Sequence, residues 1–114
     1  MIDWKRVDEL RTEIGNDGFA EVADMFLEEA DQAVQLLLSG LPSGEIEGQL
    51  HCLKGSALNL GLTDLASICQ DGERKAAAGY GALVDIGKVA AVYRASRGVL
   101  MAGLANDTAE VSAA

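Results

Sequence analysis

Apolar residues recur at intervals of three and four along most of this 114-residue chain. This spacing places them on one face of an α-helix. The pattern predicts a short first helix over residues 3–14, which begins at Asp3 as N-cap and ends at Gly15 before a turn at 16–18. A longer second helix is predicted over 19–39. The first helix is short enough to pack across the others as a lid.

Three further helices complete the pattern. They are predicted over 45–60, from residue 63 or 64 to about 78, and over 82–104. Short connections between helices of similar length favour antiparallel neighbours. The expected fold is therefore all-α: an up-down antiparallel four-helix bundle with a short N-terminal lid helix. We expect one domain over 1–104 and a disordered tail over 105–114, where the residues are small and polar.

The composition of the chain disfavours two classes of binding partner. The formal net charge is −9, and an acidic chain is repelled by nucleic acid and by anionic membrane surfaces. No apolar run reaches the roughly 18 residues of a membrane span, and the first ten residues lack the apolar segment of a secretory signal. Cys52 and Cys69 lack the CxxC spacing. These features predict a cytoplasmic protein with reduced thiols.

The single histidine, His51, stands between two glycines on the third predicted helix. Each residue turns a helix by about 100°, so His51 points roughly 140° away from the apolar stripe of its helix. Gly48 and Gly55, at positions i−3 and i+4, are its neighbours on the helix surface. Because each glycine costs a helix interior about 1 kcal/mol relative to alanine, the bare surface around the ring suggests access for a second protein.

Two more side chains on the same surface fit a phosphoryl site. Lys54, at position i+3, can reach a group attached to the ring, and lysine commonly binds phosphate as a point charge. Leu58 faces outward and offers a partner an apolar contact. A neutral imidazole is a competent nucleophile near pH 7. An exposed histidine or lysine on a helix is more often only solvated, and the first helix could cover Leu58, so the pattern alone leaves the role of His51 open.

The stretch HCLKGSA at 51–57, followed by Gly61, resembles the signature of histidine-containing phosphotransfer (HPt) domains. That signature is His, any residue, Leu, Lys and Gly, then Ser or Ala twice, with a Gly shortly after. The family often has a small residue before the histidine, where this chain has Leu50. We expect the core to repack around that leucine.

The resemblance implies a histidine phosphotransfer protein of a multistep phosphorelay in two-component signalling. His51 would accept a phosphoryl group from the aspartate of one receiver domain and pass it to another receiver. The implied partners are receiver domains of response regulators or hybrid histidine kinases. The protein would be a covalent carrier without its own ATP-dependent kinase activity or cofactor, and Mg²⁺ is expected on the partner receiver.

The resemblance also implies roles for the residues around the histidine. Lys54 would steady the phosphoryl oxygens, and Gly55 would leave room for the receiver. Ser56 matches the small polar position of the family. Gln70 and Glu73 lie on the next helix, where the family often offers a polar partner to the histidine, and the helix register leaves open which of them faces it. A glutamate there would destabilise the phosphohistidine.

The sequence is also compatible with two other classes of function. The chain could be a non-catalytic helical adaptor that docks on a receiver or kinase through exposed Met25, Leu36 and Leu58. A metal-binding bundle could use His51 with an acidic neighbour such as Glu47. The second is disfavoured, because one histidine without a paired ExxH motif is a poor ligand set, and we expect no metal site.

Overall fold

The chain is all-helical in the computed structural model, which describes the backbone of residues 2–113 and the side chains of residues 2–104. The helices are α1 (Trp4–Leu38), α2 (Ser43–Leu60), α3 (Thr63–Ala77) and α4 (Ile86–Ala113), with a 3₁₀ turn at Gly81–Leu83. The expected all-α class is confirmed. Among the described residues, no helix is both long and apolar enough to cross a bilayer.

Helix α1 joins the first two predicted helices into one element with a kink. Only Gly15 departs from helical geometry, at φ 77° and ψ 164°, and residues 16–18 stay helical, so the turn predicted there is wrong. Glycine reaches positive φ without a steric penalty, which lets the chain bend at this point. A contact spans the bend, because the guanidinium of Arg11 lies 5.2 Å from the ring centroid of buried Phe19. We call residues 4–14 the N-terminal segment.

The N-terminal segment is fastened to the end of α2. The backbone N–H of Asp3 donates to the carbonyl of Gly61 at 2.7 Å, and an isolated β-bridge joins Ile2 to Leu62. The Asp3 carboxylate accepts a hydrogen bond from the backbone N–H of Arg6 and so caps α1 as expected. Gly61 ends α2 at φ 73°, and a Cβ there would fall 2.6 Å from the Asp3 carbonyl oxygen. Only glycine fits this approach.

The described helices share one apolar core. The apolar spacing of α2 predicts an inner face of five residues, and all of them are buried: Ile46, Leu50, Leu53, Ala57 and Leu60. The predicted inner face on the α3 side was Leu62, Leu65, Ala66, Cys69 and Ala76; the first four are buried, and Ala76 is only partly buried. The periodicity of the sequence therefore identified the core faces of these two helices.

Helix α4 starts and ends later than expected. Its first residue is Ile86, because the chain first makes the 3₁₀ turn, and it continues to Ala113 instead of ending at residue 104. The Trp4 ring packs against Gly103, where a Cβ would overlap the indole. Side chains after residue 104 and the whole of Ala114 lie outside the described residues. The expectation of a disordered tail over 105–114 therefore stays a prediction.

Two polar side chains of α4 lie in the core, and they differ in how they are satisfied. The Tyr93 hydroxyl reaches the Asp31 carboxylate and the Leu27 carbonyl oxygen. Burial and the hydrogen bond to Asp31 raise the pKa of Tyr93. Ser96 is fully buried, and its Oγ has no hydrogen-bond partner among the described residues. A buried hydroxyl without a partner is destabilising.

Ser96→Ala is therefore expected to stabilise the protein. The substitution removes an unsatisfied hydroxyl and should raise the free energy of unfolding by about 1 kcal/mol. Exposed Ser67 on α3 provides the control, because Ser67→Ala changes helix propensity in the same way without a burial effect. Urea unfolding of both variants measures the difference. Equal stabilities for the two would contradict a burial cost at Ser96.

Candidate functional site

His51 stands on the outer surface of α2. Its side chain is 74% exposed, whereas Leu50 and Leu53 on either side of it in sequence are fully buried. The surface around the ring is open, because a Cβ built at Gly48 or Gly55 would meet no heavy atom within 4 Å. The structure thus places the imidazole where a large partner can reach it.

Glu73 of α3 contacts both polar side chains of the site. One of its carboxylate oxygens lies 2.7 Å from His51 Nδ1, and the other accepts a hydrogen bond from Lys54 Nζ at 2.5 Å. The side chain of Glu73 is only 12% exposed. Gln70 is exposed, and no hydrogen bond joins it to His51 in the described part of the chain. Glu73, and not Gln70, is the polar group that faces the histidine.

A glycine on α3 explains how Glu73 comes so close to His51. Gly72 is buried against α2, and a Cβ there would fall 2.7 Å from Leu50 Cδ1. Leu50, which precedes the histidine, occupies that space and is fully buried. The core therefore has room for the large side chain of Leu50 because position 72 has no side chain. The same close approach places Glu73 beside His51.

The contact with Glu73 determines which nitrogen of the ring is free. A carboxylate only accepts hydrogen bonds, and a neutral imidazole has one N–H and one nitrogen with a lone pair. The proton therefore lies on Nδ1 of His51, which donates to Glu73. The lone pair of Nε2 is left available on an exposed side chain. This is the arrangement of a nitrogen nucleophile that faces an incoming electrophile.

The same carboxylate influences a neighbouring thiol. Cys69 is buried behind the site, and burial raises its pKa to about 12, with a further increase from the charge of Glu73 and a decrease from Lys54. A thiol with this pKa is protonated at neutral pH and is a poor nucleophile. Cys52, next to the histidine in sequence, is exposed. Both cysteines are free thiols.

The other predicted site residues divide between the core and the surface. Ser56 is buried, about 140° around the helix from His51, and no hydrogen bond joins the two among the described residues. Leu58 is 56% exposed, so the first part of α1 leaves it largely uncovered. Sequence reasoning missed Asn59, whose side-chain N–H donates to the Gly55 carbonyl at 2.9 Å. The sequence signal for this hydrogen bond was the spacing of four residues, which places the Asn59 side chain one helical turn from the Gly55 carbonyl.

Two features of the structure bear on the alternative functions, namely exposed apolar side chains and the grouping of potential metal ligands. Met25 and Leu36 are exposed, as is Leu58, so apolar surface is available to an adaptor. In the part of the chain that the structure describes, no group of three or more His, Cys, Asp or Glu side chains lies close enough to hold a metal ion. The combination of His51 with Glu47 therefore has no third ligand there.

Comparison with known protein families gave a match. A model of the Hpt domain family matches residues 21–113, which is most of the chain and includes the whole of α2 and α3. No curated protein and no solved structure matches the chain. The match begins after the N-terminal segment and after the kink at Gly15.

Proposed function

Since the chain belongs to the Hpt domain family, we propose that it is a phosphoryl carrier of a multistep phosphorelay. His51 accepts a phosphoryl group from the aspartate of one receiver domain and passes it to the aspartate of another. The observation that carries this proposal is the exposed imidazole, whose Nδ1 is held by Glu73 and whose Nε2 has no hydrogen bond to any residue that the structure describes.

The reaction transfers one phosphoryl group between two side chains. Nε2 of His51 attacks the phosphorus of the receiver's aspartyl phosphate, so that an N–P bond forms and the P–O bond to the aspartate breaks. The aspartate leaves as a carboxylate. The ring gains positive charge as the N–P bond forms, and the Glu73 carboxylate at 2.7 Å stabilises that charge. Transfer to the next receiver is the reverse of these steps.

Lys54 assists at the phosphoryl oxygens in this proposal. An ammonium has three N–H donors, and the contact with Glu73 uses one of them. The remaining donors are available to a phosphoryl group on the neighbouring ring. A Mg²⁺ held by the receiver would neutralise most of the charge in transfer, and this domain contributes mainly the position of the nucleophile.

We further propose an arrangement for the helices and a cellular location for the protein. The helices form an up-down antiparallel bundle, which the short connections between α1, α2 and α3 support. The N-terminal segment acts as the lid, and its attachment to the end of α2 supports that role. We place the protein in the cytoplasm, in keeping with its two free thiols.

Transfer from phosphorylated receivers tests the proposal. Purified receiver domains from the same genome are phosphorylated with acetyl phosphate and Mg²⁺, desalted and mixed with the protein. We expect at least one receiver to label the protein in an acid-labile, base-stable manner, as a phosphohistidine requires. Absence of label from every receiver would contradict the proposal.

The exposed apolar residues favour one alternative function. Met25, Leu36 and Leu58 together offer a surface that a non-catalytic adaptor could use to bind a receiver or kinase. The two functions differ in one observable. A wild-type protein that binds a phosphorylated receiver tightly and never acquires label would be an adaptor.

Glu73→Gln is expected to lengthen the lifetime of the phosphohistidine. Glu73 places a negative charge beside the ring that carries the phosphoryl group, and repulsion between the two negative groups raises the free energy of the phosphohistidine. Like-charge repulsion at a partly exposed site is of order 1 kcal/mol. That corresponds to roughly fivefold slower loss of label in the variant. The measurement is the decay of labelled protein after removal of the receiver.

Asp71→Asn is the control for this prediction. It removes the same charge from the same helix, but Asp71 is exposed and pairs with Arg74 instead of His51. Its label should decay at the wild-type rate. Equal lifetimes for Glu73→Gln and Asp71→Asn would show that the carboxylate at the ring does not govern phosphohistidine stability.

A further inference from the structure

An open groove lies between α1 and α4. Its volume is about 380 Å³, and pockets that hold small organic ligands have volumes of roughly 300–1,000 Å³. Every residue that lines the groove belongs to one of these two helices. His51, Lys54 and Glu73 lie on α2 and α3 instead. The groove is therefore separate from the phosphoryl site.

Two arginines of α4 line this groove. Arg94 and Arg97 are three residues apart, so they are neighbours on one face of the helix. Both side chains are exposed, and neither has an ion pair or a hydrogen bond with another side chain in the described part of the chain. The sequence has 18 acidic residues that could have paired with them. Two guanidinium groups are thus available to a bound anion.

The acidic side chain of the groove already has a partner. The Asp31 carboxylate accepts a hydrogen bond from the Tyr93 hydroxyl. The raised pKa of Tyr93, for which burial is the main cause, keeps that hydroxyl protonated at neutral pH. Among the residues that line the groove, the two arginines and Asp31 leave one net positive charge. A single carboxylate matches this charge, whereas a phosphate group carries about 1.5 to 2 negative charges at pH 7 and would exceed it.

The groove also offers apolar contacts and open space. Val34 of α1 is buried, and Met101 of α4 is 45% exposed. Methionine is flexible and adapts its shape to a bound group. Gly98 lies between the arginines and Met101 in sequence, and a Cβ there would meet no heavy atom within 4 Å. A ligand would therefore find room and an apolar surface beside the two charges.

We propose that this groove binds a small organic monocarboxylate. Arg94 and Arg97 hold the carboxylate, because the planar guanidinium donates two parallel hydrogen bonds to such a group. The exposed amide of Gln35, which also lines the groove, donates a further hydrogen bond. The apolar part of the ligand lies against Val34 and Met101. This site goes beyond the proposed phosphoryl transfer, since it uses none of the residues at the histidine.

Titration of the ¹⁵N-labelled protein with hexanoate tests the proposal, and hexanamide is the neutral probe of the same size. We expect hexanoate to shift the Nε–H signals of Arg94 and Arg97 and the amide signal of Gly98 in a saturable manner. Hexanamide and inorganic phosphate should bind at least about tenfold more weakly. Arg97→Gln should weaken hexanoate binding at least about tenfold, since it removes a charge-assisted contact.

Lys88→Gln is the matched control. It removes a positive charge from an exposed position of the same helix outside the groove, and should leave hexanoate binding unchanged. Circular dichroism checks the fold of each variant, and Arg94→Gln, also at an exposed position, tests the site if Arg97→Gln does not fold.

Three results would overturn the proposal. They are the absence of a saturable shift with hexanoate, equal binding of hexanamide or phosphate, and equal weakening by the arginine variant and Lys88→Gln. The titration involves no phosphoryl transfer, so any of these results would leave the proposed function untouched.

Discussion

His51→Gln is expected to abolish phosphoryl transfer completely while the protein stays folded. Glutamine has no ring nitrogen that can attack phosphorus, yet its amide N–H can still donate to Glu73. The His51 side chain is 74% exposed, so its replacement leaves the core intact. The measurement is label transferred from a phosphorylated receiver, with circular dichroism of the same sample. We expect label at background and an unchanged helix signal.

Cys52→Ser is the matched control for the loss of label. Cys52 is the exposed neighbour of His51 on α2, and its free thiol is a second nucleophile near the site. We expect this variant to accept phosphate as the wild type does. Label that survives in His51→Gln, or that disappears in Cys52→Ser, would place the phosphoryl group on a residue other than the histidine.

Gly55→Arg is expected to lower the transfer rate by roughly 100-fold, because a long side chain on the bare surface displaces the receiver from its reacting position. The same substitution should not harm the fold. A Cβ at position 55 meets no heavy atom within 4 Å. Replacement of glycine by arginine inside a helix gains up to about 1 kcal/mol of helix propensity. The variant should therefore be at least as stable as the wild type while it fails in transfer.

Gly98→Arg is the control for this prediction, because it makes the same substitution on a different helix. Gly98 lies on α4, where a Cβ likewise meets nothing within 4 Å. We expect Gly98→Arg to gain helix propensity and to keep transfer. Urea unfolding and receiver labelling measure the two properties. Full transfer by Gly55→Arg would show that the receiver does not approach over this glycine.

The apolar periodicity predicted the helices because each helix buries one apolar face in the core. On α2 the stripe from Ile46 to Leu60 fixed the inner face, and the outward direction of His51 followed from it by helix geometry alone. In α1 the break at Gly15 was predicted at the right residue, but the helical geometry of the residues that follow it was not. Asn16 and Asp17 favour turns locally, yet residues 16–18 are helical, and Gly15 is the residue inside α1 that departs from helical φ and ψ.

The partner of the histidine required the structure. Gln70 and Glu73 are three positions apart on α3 and differ by only about 60° around the helix. Their order relative to His51 depends on how closely α3 approaches α2, which the fit of Leu50 against Gly72 determines. That fit is a property of two helices together, so no pattern within either helix reveals it. The glycine at position 72 was visible in the sequence, but its meaning depended on a leucine 22 residues earlier.

The position of the phosphoryl group on the ring is the most direct test of the account. The wild-type protein is phosphorylated by a receiver, and the imidazole is examined by ¹H–³¹P NMR under alkaline conditions that preserve phosphohistidine. We predict a phosphoryl group on Nε2 of His51, because Nδ1 is occupied by its hydrogen bond to Glu73. A phosphoryl group on Nδ1 of His51, or on a residue other than His51, would contradict the proposed role of this histidine.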